Sequence, residues 1–306
     1  MQVMTEDQSR RLVTRALAYT AAREAYIAAD DKLAHIFPAV IAHGSDPGNR
    51  FSIKSGATAQ LAGLKIGSYW PGNTARGMQN HSSTILLLDQ ATGRIAWAIE
   101  AGEVNAYRTA AADAVAADAL ARRDASVLAI FGAGHQALHE CAALAEIRPL
   151  THVLVVARSQ ERGQAFVGAL IEAGFNAELS GAEEACVRAD IVVTATAATA
   201  PLFEAEWIRP GTHVASMGSD ARGKQELPPA LFDRASLFCD LPAQAVVLGD
   251  LQHFSGDVTR ITPIGRVLSG QAPGRKDDHD ITVFDSSGIA LQDLYMAWKL
   301  VLAAVA

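Results

Sequence analysis

Hydrophobic positions along the chain follow two different rhythms. From residue 126 onward, short apolar runs with β-branched members alternate with stretches of helical spacing, which is typical of a parallel sheet with helices on both faces. The pattern predicts strands at 126–131, 152–157, 190–194, 213–217 and 236–240, with helices near 135–147 and 160–173.

The first third of the chain lacks this alternation. Apolar residues at helical spacing behind Thr5 predict one amphipathic helix of about six turns. A largely antiparallel sheet is expected after it, with strands at 50–54 and 64–69 and a hairpin of 83–88 and 94–99. Two more helices are predicted, an alanine-rich one from Arg108 to Arg122 and a closing one from about Gly288 to Ala304.

These patterns predict an α/β protein of two domains. A Rossmann-type, doubly wound parallel sheet is expected over 113–287. A smaller α+β domain is expected from 1–112, completed by the C-terminal helix at 288–306.

A glycine turn follows the first strand of the predicted parallel sheet. It reads Gly132-Ala-Gly134-His135-Gln136-Ala137 and leads into a helix. The first glycine permits the tight turn, the second lets a diphosphate approach the backbone, and Ala137 lets the helix pack closely on the strand. The free N–H groups of the helix N-terminus favour phosphate. A purely structural glycine turn is the alternative.

The end of the second strand indicates which nucleotide binds. Sites for NAD usually have an acidic residue there, which binds the ribose 2′-hydroxyl. This chain has Arg158 and Ser159 instead, and a guanidinium with a hydroxyl suits a 2′-phosphate. We therefore expect NADP to be preferred and NAD to be possible. A solvated Arg158 that contacts no nucleotide is the alternative.

Composition limits the partners. The 306 residues carry a formal net charge of −7, which disfavours nucleic acid and anionic membranes. No apolar run reaches the roughly 18 residues that a membrane span needs. The three cysteines are far apart and have no metal-like spacing. We expect a cytoplasmic protein with reduced cysteines and with no metal, membrane or nucleic-acid partner.

Four charged residues are candidates for chemistry on a substrate. Lys65 lies within an apolar strand, where burial would lower its pKa and suit it to proton transfer. A lysine on the solvated face of a strand is the alternative, and the pattern by itself favours that alternative. Arg108 stands where the alanine-rich helix is predicted to begin, a place where a cation opposes the helix dipole, which suggests carboxylate binding. A salt bridge to Asp113 or Glu103 is the alternative for Arg108.

The other two candidates are Arg50 and Asp220. Arg50 flanks a turn, and a solvated side chain is the simpler interpretation. Asp220 follows a strand at the carboxyl edge of the parallel sheet, where ligands bind. It could exchange a proton with a substrate nitrogen, or it could be a turn or helix-capping aspartate.

Taken together and in order, several short motifs resemble the ornithine cyclodeaminase/mu-crystallin family across nearly the whole chain. They are Lys65, Pro71-Gly-Asn73, Arg108-Thr-Ala-Ala111, the turn at 132–137, Thr194-Ala-Thr196, Gly218-Ser-Asp220, Glu226-Leu227 and Phe284-x-Ser286-x-Gly288-Ile-Ala-x-x-Asp293.

The resemblance implies a homodimer whose first domain binds substrate and forms the dimer, and whose second domain binds NAD(P). It implies catalytic roles for Lys65 and Asp220, and carboxylate binding by Arg108 and Arg50, although the segment from Arg50 to Lys65 is shorter than usual in the family. The residues predicted to bind the cofactor, from the glycine turn, the end of the second strand and the family motifs together, are Gly132, Gly134, His135, Gln136, Ala137, Arg158, Ser159, Thr194 and Thr196.

Two departures bear on the activity. The family often has lysine where this chain has Asp285, and the cyclodeaminases proper tend to have an acidic residue where Arg158 stands. Both favour the family's NAD(P)H-dependent reductases and dehydrogenases, which act on cyclic imino acids or on α-keto and amino acids. The alternatives are an ornithine cyclodeaminase, a lyase that makes proline and ammonia with bound NAD, and a non-catalytic NADP-binding protein.

Overall fold

The computed structural model describes residues 1–305. The chain forms two compact units, Met1–Arg108 with Ile289–Ala306 and Thr109–Gly288, and Ala306 lies outside the described residues. The functional domains predicted above, 1–112 with 288–306 and 113–287, stay predictions.

The first unit is a mostly antiparallel sheet with helices against one face. Its strand order is β1-β7-β6-β5-β4-β2, with β3 also paired to β4 and with β1 parallel to β7. Helices α2 and α10 pack on each other, and α10 covers β4, β5 and β6. The strands are β1 (Gln2–Met4), β2 (His35–Ile36), β3 (Val40–His43), β4 (Arg50–Ala57), β5 (Ala62–Tyr69), β6 (His81–Leu88) and β7 (Ile95–Glu100), and the helices are α1 (Glu6–Leu12), α2 (Arg15–Ala29) and α10 (Ala290–Val305).

Helix α3 (Gly102–Leu120) contains the boundary between the two units at Arg108. The second unit is a parallel sheet of strand order β10-β9-β8-β11-β12-β15-β13-β14. The strands are β8 (Val127–Phe131), β9 (His152–Val156), β10 (Ala177–Leu179), β11 (Ile191–Thr194), β12 (His213–Ser216), β13 (Ser236–Cys239), β14 (Ile261–Pro263) and β15 (Thr282–Asp285). The helices between them are α4 (His135–Ala145), α5 (Gln160–Glu172), α6 (Ala182–Arg188), α7 (Ala230–Arg234), α8 (Pro242–Leu248) and α9 (Ile264–Leu268).

The predicted fold class is confirmed, but the predicted opening helix is wrong. Two helices replace it, because Val13 is extended and Thr14 caps the second helix by accepting a hydrogen bond from the Leu17 N–H at 3.1 Å. The alanine-rich helix also begins earlier than predicted, at Gly102. Six strands went unpredicted. Five of them have only two to four residues, β1, β2, β3, β10 and β14, and the sixth is the buried β15, which lies between β12 and β13.

No helix among residues 1–305 is long and apolar enough to cross a membrane. The cytoplasmic location stays a prediction.

Candidate active site

One face of the first unit's sheet carries the site. On this face Gly56 and Gly63 lie under α10, since a Cβ added to either glycine would come within 3.3 Å of Leu291 or Leu294. Side chains alternate between the faces of a strand, so Lys65 projects from the same face as Gly63, one row further along. Its cross-strand neighbours in that row are Lys54 and Ile85.

Lys65 is buried, with 6% of its surface exposed. Its Nζ donates hydrogen bonds to Asn105 Oδ1 at 2.7 Å and to Asp293 Oδ1 at 3.1 Å. Burial is the largest cause that lowers the pKa of Lys65, and the cations Arg108 and Lys54 act in the same direction. The carboxylate of Asp293 opposes them, and the pKa that results is about 7. A lysine in this state can donate or accept a proton near neutral pH.

Arg108 lies beside Lys65 and shares its partners. Its Nε is 3.1 Å from Asp293 Oδ1, and its Nη2 donates to Asn105 Oδ1 at 2.8 Å. The structure therefore pairs Arg108 with Asp293. The guanidinium is nearly buried, with 11% of the side chain exposed, and its Nη1 donates to Gln292 Oε1 at 3.4 Å.

The placement of Arg108 at a helix start is wrong. The helix begins at Gly102, and the Glu6 carboxylate caps it by accepting the N–H groups of Gly102 and Glu103, each at 2.8 Å. Arg108 is in the second turn, so the dipole argument does not apply to it. Carboxylate binding by Arg108 stays a prediction.

Sequence reasoning gave no role to Asp293 or Asn105, although both contact Lys65 and Arg108. Burial acts to raise the pKa of Asp293, but Lys65 and Arg108 outweigh it and hold that pKa below its ordinary value. Asp293 is therefore the counter-ion of the two cations. A carboxylate amid the apolar residues of the closing helix was the signal that could have identified it.

Arg50 projects from the same face of the sheet as Lys65, but the two residues are not in contact. It begins β4, opposite Tyr69, whereas Lys65 is opposite Lys54. The row of Arg50 and the row of Lys65 are four residues apart along the strand, a distance of about 13 Å. Arg50 is exposed at the open end of the face, beside the tilted ring pair of Tyr69 and His81, whose centroids are 5.2 Å apart.

In the second unit, the glycine turn has the geometry that a diphosphate needs. Gly132 has a φ of +123°, and a Cβ there would lie 2.7 Å from the Ala195 carbonyl oxygen. At Gly134, by contrast, an added Cβ would meet nothing within 4 Å, and α4 begins at the next residue. Open space over a helix N-terminus fits the diphosphate of a dinucleotide. Ala137 is fully buried where α4 packs.

The other residues predicted to bind the cofactor lie near this turn or at neighbouring strand ends. The His135 ring contacts the His139 ring at a tilt of 58°, with centroids 4.6 Å apart, and the Gln136 amide donates to the Glu140 carboxylate at 2.7 Å. Arg158 is exposed just after β9, and Ser159 caps α5 by accepting the Arg162 N–H at 3.3 Å. Their contacts with a nucleotide stay predictions.

Glu226, to which sequence reasoning gave no role, ties together the ends of β11 and β12. Its Oε1 accepts the N–H and O–H of Thr196, both at 2.7 Å, and its Oε2 accepts the Thr194 O–H at 2.9 Å and the Gly218 N–H at 2.8 Å. Burial raises the pKa of Glu226. Thr194 is fully buried, and its hydroxyl helps to hold the ends of β11 and β12 together by donating to Glu226.

Asp220 lies in the loop that this glutamate anchors. Its carboxylate is 2.6 Å from Lys224 Nζ, and its side chain is 58% exposed. Lys224 also donates to the Gly218 carbonyl at 2.9 Å, so the lysine braces the loop. Asp220 is accessible to a ligand from this position.

Comparison with known proteins identifies the family. A model of the ornithine cyclodeaminase/mu-crystallin family matches residues 37–304. The iminosuccinate reductase of Paracoccus denitrificans is 35% identical over 307 residues, which cover 98% of this chain and 96% of that protein. The chain belongs to the ornithine cyclodeaminase/mu-crystallin family.

Solved structures agree with this assignment. The structure of the Paracoccus denitrificans iminosuccinate reductase with NAD⁺ has a TM-score of 0.94 at 34% identity and covers 100% of this chain and 96% of that one. A dimeric archaeal alanine dehydrogenase with bound NAD has a TM-score of 0.92 at 29% identity, covering 99% and 95%. The Δ¹-pyrroline-2-carboxylate reductase of Thermococcus litoralis, with NADH and L-proline, has a TM-score of 0.91 at 25% identity, covering 100% and 98%.

These relatives confirm the predicted family and the enzyme class, an NAD(P)-dependent oxidoreductase of amino or imino acids. All three solved relatives contain NAD or NADH.

Proposed function

We propose that this protein reduces the C=N bond of a small α-imino acid, a cyclic imine or the imine of an α-keto acid, to the L-amino acid. The observation that carries the proposal is a buried lysine with a pKa of about 7 beside a nearly buried arginine, Lys65 and Arg108. A bound nicotinamide cofactor supplies the hydride for this reaction. The relatives that reduce iminosuccinate and pyrroline-2-carboxylate support the reaction class.

The residues of the first unit have separate tasks. Arg108 binds the substrate carboxylate through its guanidinium fork, and Lys65 exchanges a proton with the substrate nitrogen. Asp293 and Asn105 hold both cations in place. Arg50 guides the anionic substrate from the open end of the face, and Asp220 is a second group for the proton on nitrogen.

For the cofactor we propose that the protein accepts both nucleotides and prefers NADPH. The diphosphate lies on the turn from Gly132 to Ala137, and Arg158 with Ser159 binds the 2′-phosphate. Replacing Arg158 by alanine should lower the ratio of kcat/KM with NADPH to that with NADH by about tenfold, since one charge-assisted hydrogen bond is lost. A ratio that is already below one in the unmodified protein contradicts the preference.

We also propose that a second copy of the chain covers the outer face of the first unit's sheet. Val40, Ile53 and Ile66 form a cross-strand apolar row on the face opposite Lys65, and Val40 and Ile66 are 58% and 39% exposed. The dimeric archaeal alanine dehydrogenase supports this assembly. Light scattering should give the mass of a dimer, and the double variant Val40→Asp, Ile66→Asp should give a monomer. A monomeric unmodified protein contradicts the proposal.

The function is tested by following NADPH and NADH loss with a panel of imines. The panel contains pyrroline-2-carboxylate, piperideine-2-carboxylate, and pyruvate or oxaloacetate with ammonium. At least one imine should be reduced, and Lys65→Met should lower kcat/KM by roughly 10²- to 10⁴-fold while nucleotide affinity is kept. Nucleotide binding with no turnover of any imine contradicts the proposal. Ammonia release from ornithine without net change in the cofactor would indicate the lyase instead.

A further inference from the structure

The loop that carries Asp220 is bonded to a short helical turn of the second unit, Asp250–His253. This turn is itself held in place, because the buried carboxylate of Asp285 accepts the N–H groups of Asp250 and Leu251 at 3.0 and 2.9 Å. The turn is therefore a fixed support for any part of the loop that bonds to it.

Gln252, a half-buried residue of this turn, bonds to the loop at three peptide groups. Its Oε1 accepts the Gly223 N–H at 2.9 Å, and its Nε2 is 3.2 Å from the Ala221 carbonyl and 3.3 Å from the Lys224 carbonyl. The Nε2 also donates to the Gly249 carbonyl beside its own turn at 2.9 Å. An amide has two N–H hydrogens, so one bond on each side is available to it. One side chain thus joins the loop to its support.

The peptide group that Gln252 holds belongs to the residue that contacts Asp220. His253 Nε2 lies 2.9 Å from the same Lys224 carbonyl, and because a carbonyl only accepts, this ring nitrogen is the donor. The Lys224 ammonium is 2.6 Å from the Asp220 carboxylate and donates to the Gly218 carbonyl at 2.9 Å. Two side chains of the turn therefore fix the backbone of a lysine whose ammonium contacts Asp220.

Gly223 is the residue at which this loop needs such a restraint. Its φ is +80°, and a Cβ added there would meet nothing within 4 Å, so the backbone conformation and not the space requires glycine. Glycine has more conformations open to it than any other residue. The hydrogen bond from its N–H to Gln252 restricts the loop at its most permissive position.

We propose that Gln252 is a positioning residue for Asp220. It holds the loop in one conformation, so that Lys224 and the carboxylate of Asp220 have a fixed place after the end of β12. The inference rests on the proposed function, in which Asp220 is a second group for the proton on the substrate nitrogen. It adds a residue that acts through the loop and does not touch the substrate.

A double-mutant cycle tests the proposal with Gln252→Leu, Asp220→Asn and the two together. The values of kcat and KM are measured for the best imine at saturating nucleotide. Each single variant should lower kcat by about 10- to 100-fold with little change in KM. The double variant should be no more than about twofold slower than Asp220→Asn, because residues that act as a unit are not additive. Losses that multiply overturn the proposal.

Two further variants keep the cycle decisive. Gln164→Leu, at an exposed glutamine of α5, is the matched control and should leave kcat unchanged. Gly223→Ala disturbs the loop without a steric clash, so it tests the same coupling if Gln252→Leu folds poorly. It should also lower kcat, and it should be non-additive with Asp220→Asn. Full activity of Gly223→Ala contradicts the proposal.

Hydrogen exchange gives a measurement that does not depend on activity. Gln252→Leu should speed exchange of the Gly223 amide by about tenfold, since its hydrogen bond is lost, and Gln164→Leu should not. Unchanged exchange overturns the proposal. Imine reduction at full kcat by Asp220→Asn also overturns it and leaves the proposed function standing. Failure to reduce any imine overturns both.

Discussion

The two units bury charge in opposite ways. Around Lys65 in the first unit, two cations share a single carboxylate oxygen, Asp293 Oδ1, at 3.1 Å each. Around Glu226 in the second unit, a carboxylate accepts backbone N–H and hydroxyl groups and contacts no cation in the described hydrogen bonds. The first arrangement leaves a lysine that can change its charge near neutral pH. The second fixes the ends of strands.

Two more buried carboxylates in the second unit, Asp285 and Asp250, accept backbone N–H groups in the same way as Glu226. Asp285 accepts the N–H groups of Asp250 and Leu251 at 3.0 and 2.9 Å. Asp250 in turn accepts the N–H groups of Glu226 and Leu227 at 2.9 and 3.0 Å. Each carboxylate thus fixes the backbone of the next, and the last one holds the loop that carries Asp220. The first unit thus holds two cations against one carboxylate, whereas the second unit uses its carboxylates to fix backbone N–H groups.

The largest expected effect comes from Glu226→Ala. Five donors point to Glu226, and the Ser216 hydroxyl has a second acceptor, Asp250. The change removes Glu226 as the acceptor of the other four, so the free energy of unfolding should fall by about 3–5 kcal/mol. Urea unfolding measures it. Glu172→Ala, at an exposed position on α5, is the control and should change the free energy by less than about 0.5 kcal/mol. A similar small change for Glu226→Ala would contradict the positioning role.

A second buried carboxyl pair in the same unit should behave differently. Asp113 and Glu140 are both fully buried, and their carboxyl groups contact each other. Two ionised carboxylates have no proton to donate, so a hydrogen bond between them requires that one of the two is protonated. Burial raises the pKa of Asp113 to about 7, against a smaller opposing effect of that hydrogen bond. The folded state then binds more protons than the unfolded chain between about pH 4 and pH 7, and stability falls as the pH rises through that window.

Asp113→Asn should remove the loss of stability that the protein shows as the pH rises from about 4 to 7. An amide donates to Glu140 without a shared proton, so the variant should be more stable than the unmodified protein by about 2 kcal/mol at pH 8 and by less at pH 5. Thermal unfolding at the two pH values measures the difference. A variant that is equally destabilised at both would show that Asp113 is ionised and held by other groups.

Asp293→Asn should change the pH dependence of imine reduction. In this direction Lys65 donates its proton to the substrate nitrogen, so loss of that proton sets the alkaline limb of the kcat/KM profile. The carboxylate raises the pKa of Lys65, so its removal should move the alkaline limb to lower pH by about one unit. The profile is measured for the best imine from pH 5 to pH 9. A shift toward higher pH would contradict the assignment of Asp293 as the counter-ion.

The smallest effect concerns the cysteines. All three are buried, and burial raises the pKa of each thiol, that of Cys186 to about 12. A thiol reagent at pH 8 should not react with the folded protein and should titrate three thiols after unfolding. Rapid reaction of one thiol in the folded state would contradict this prediction and would show that the structure around that cysteine opens to solvent.

Features encoded locally could be predicted from the sequence, and features built from distant residues could not. The glycine turn at Gly132 and the strands beside it depend on neighbours in the chain, so their pattern is visible in the sequence. Lys65 remained ambiguous because its partner Asp293 is 228 residues away, on a helix whose packing decides the burial of the lysine. The start of α3 was missed because its cap is Glu6, 96 residues before Gly102.

Lys54 and Glu226 show the same limit. The distance of Lys54 from Lys65 depends on the register of β4 against β5, and a slip of one residue would place it on the other face. Glu226 is quoted in the family motif, but its acceptor role depends on strand ends that meet only in the folded sheet.

The most direct test of the account is the ionisation of Lys65 itself. The chain has six lysines, so carbon-13 labelling at Cε gives few NMR signals, and comparison with Lys65→Met identifies the one from Lys65. The account predicts that this signal titrates with a midpoint near pH 7 in the folded protein. A midpoint for Lys65 in the range of an ordinary solvated lysine would contradict it.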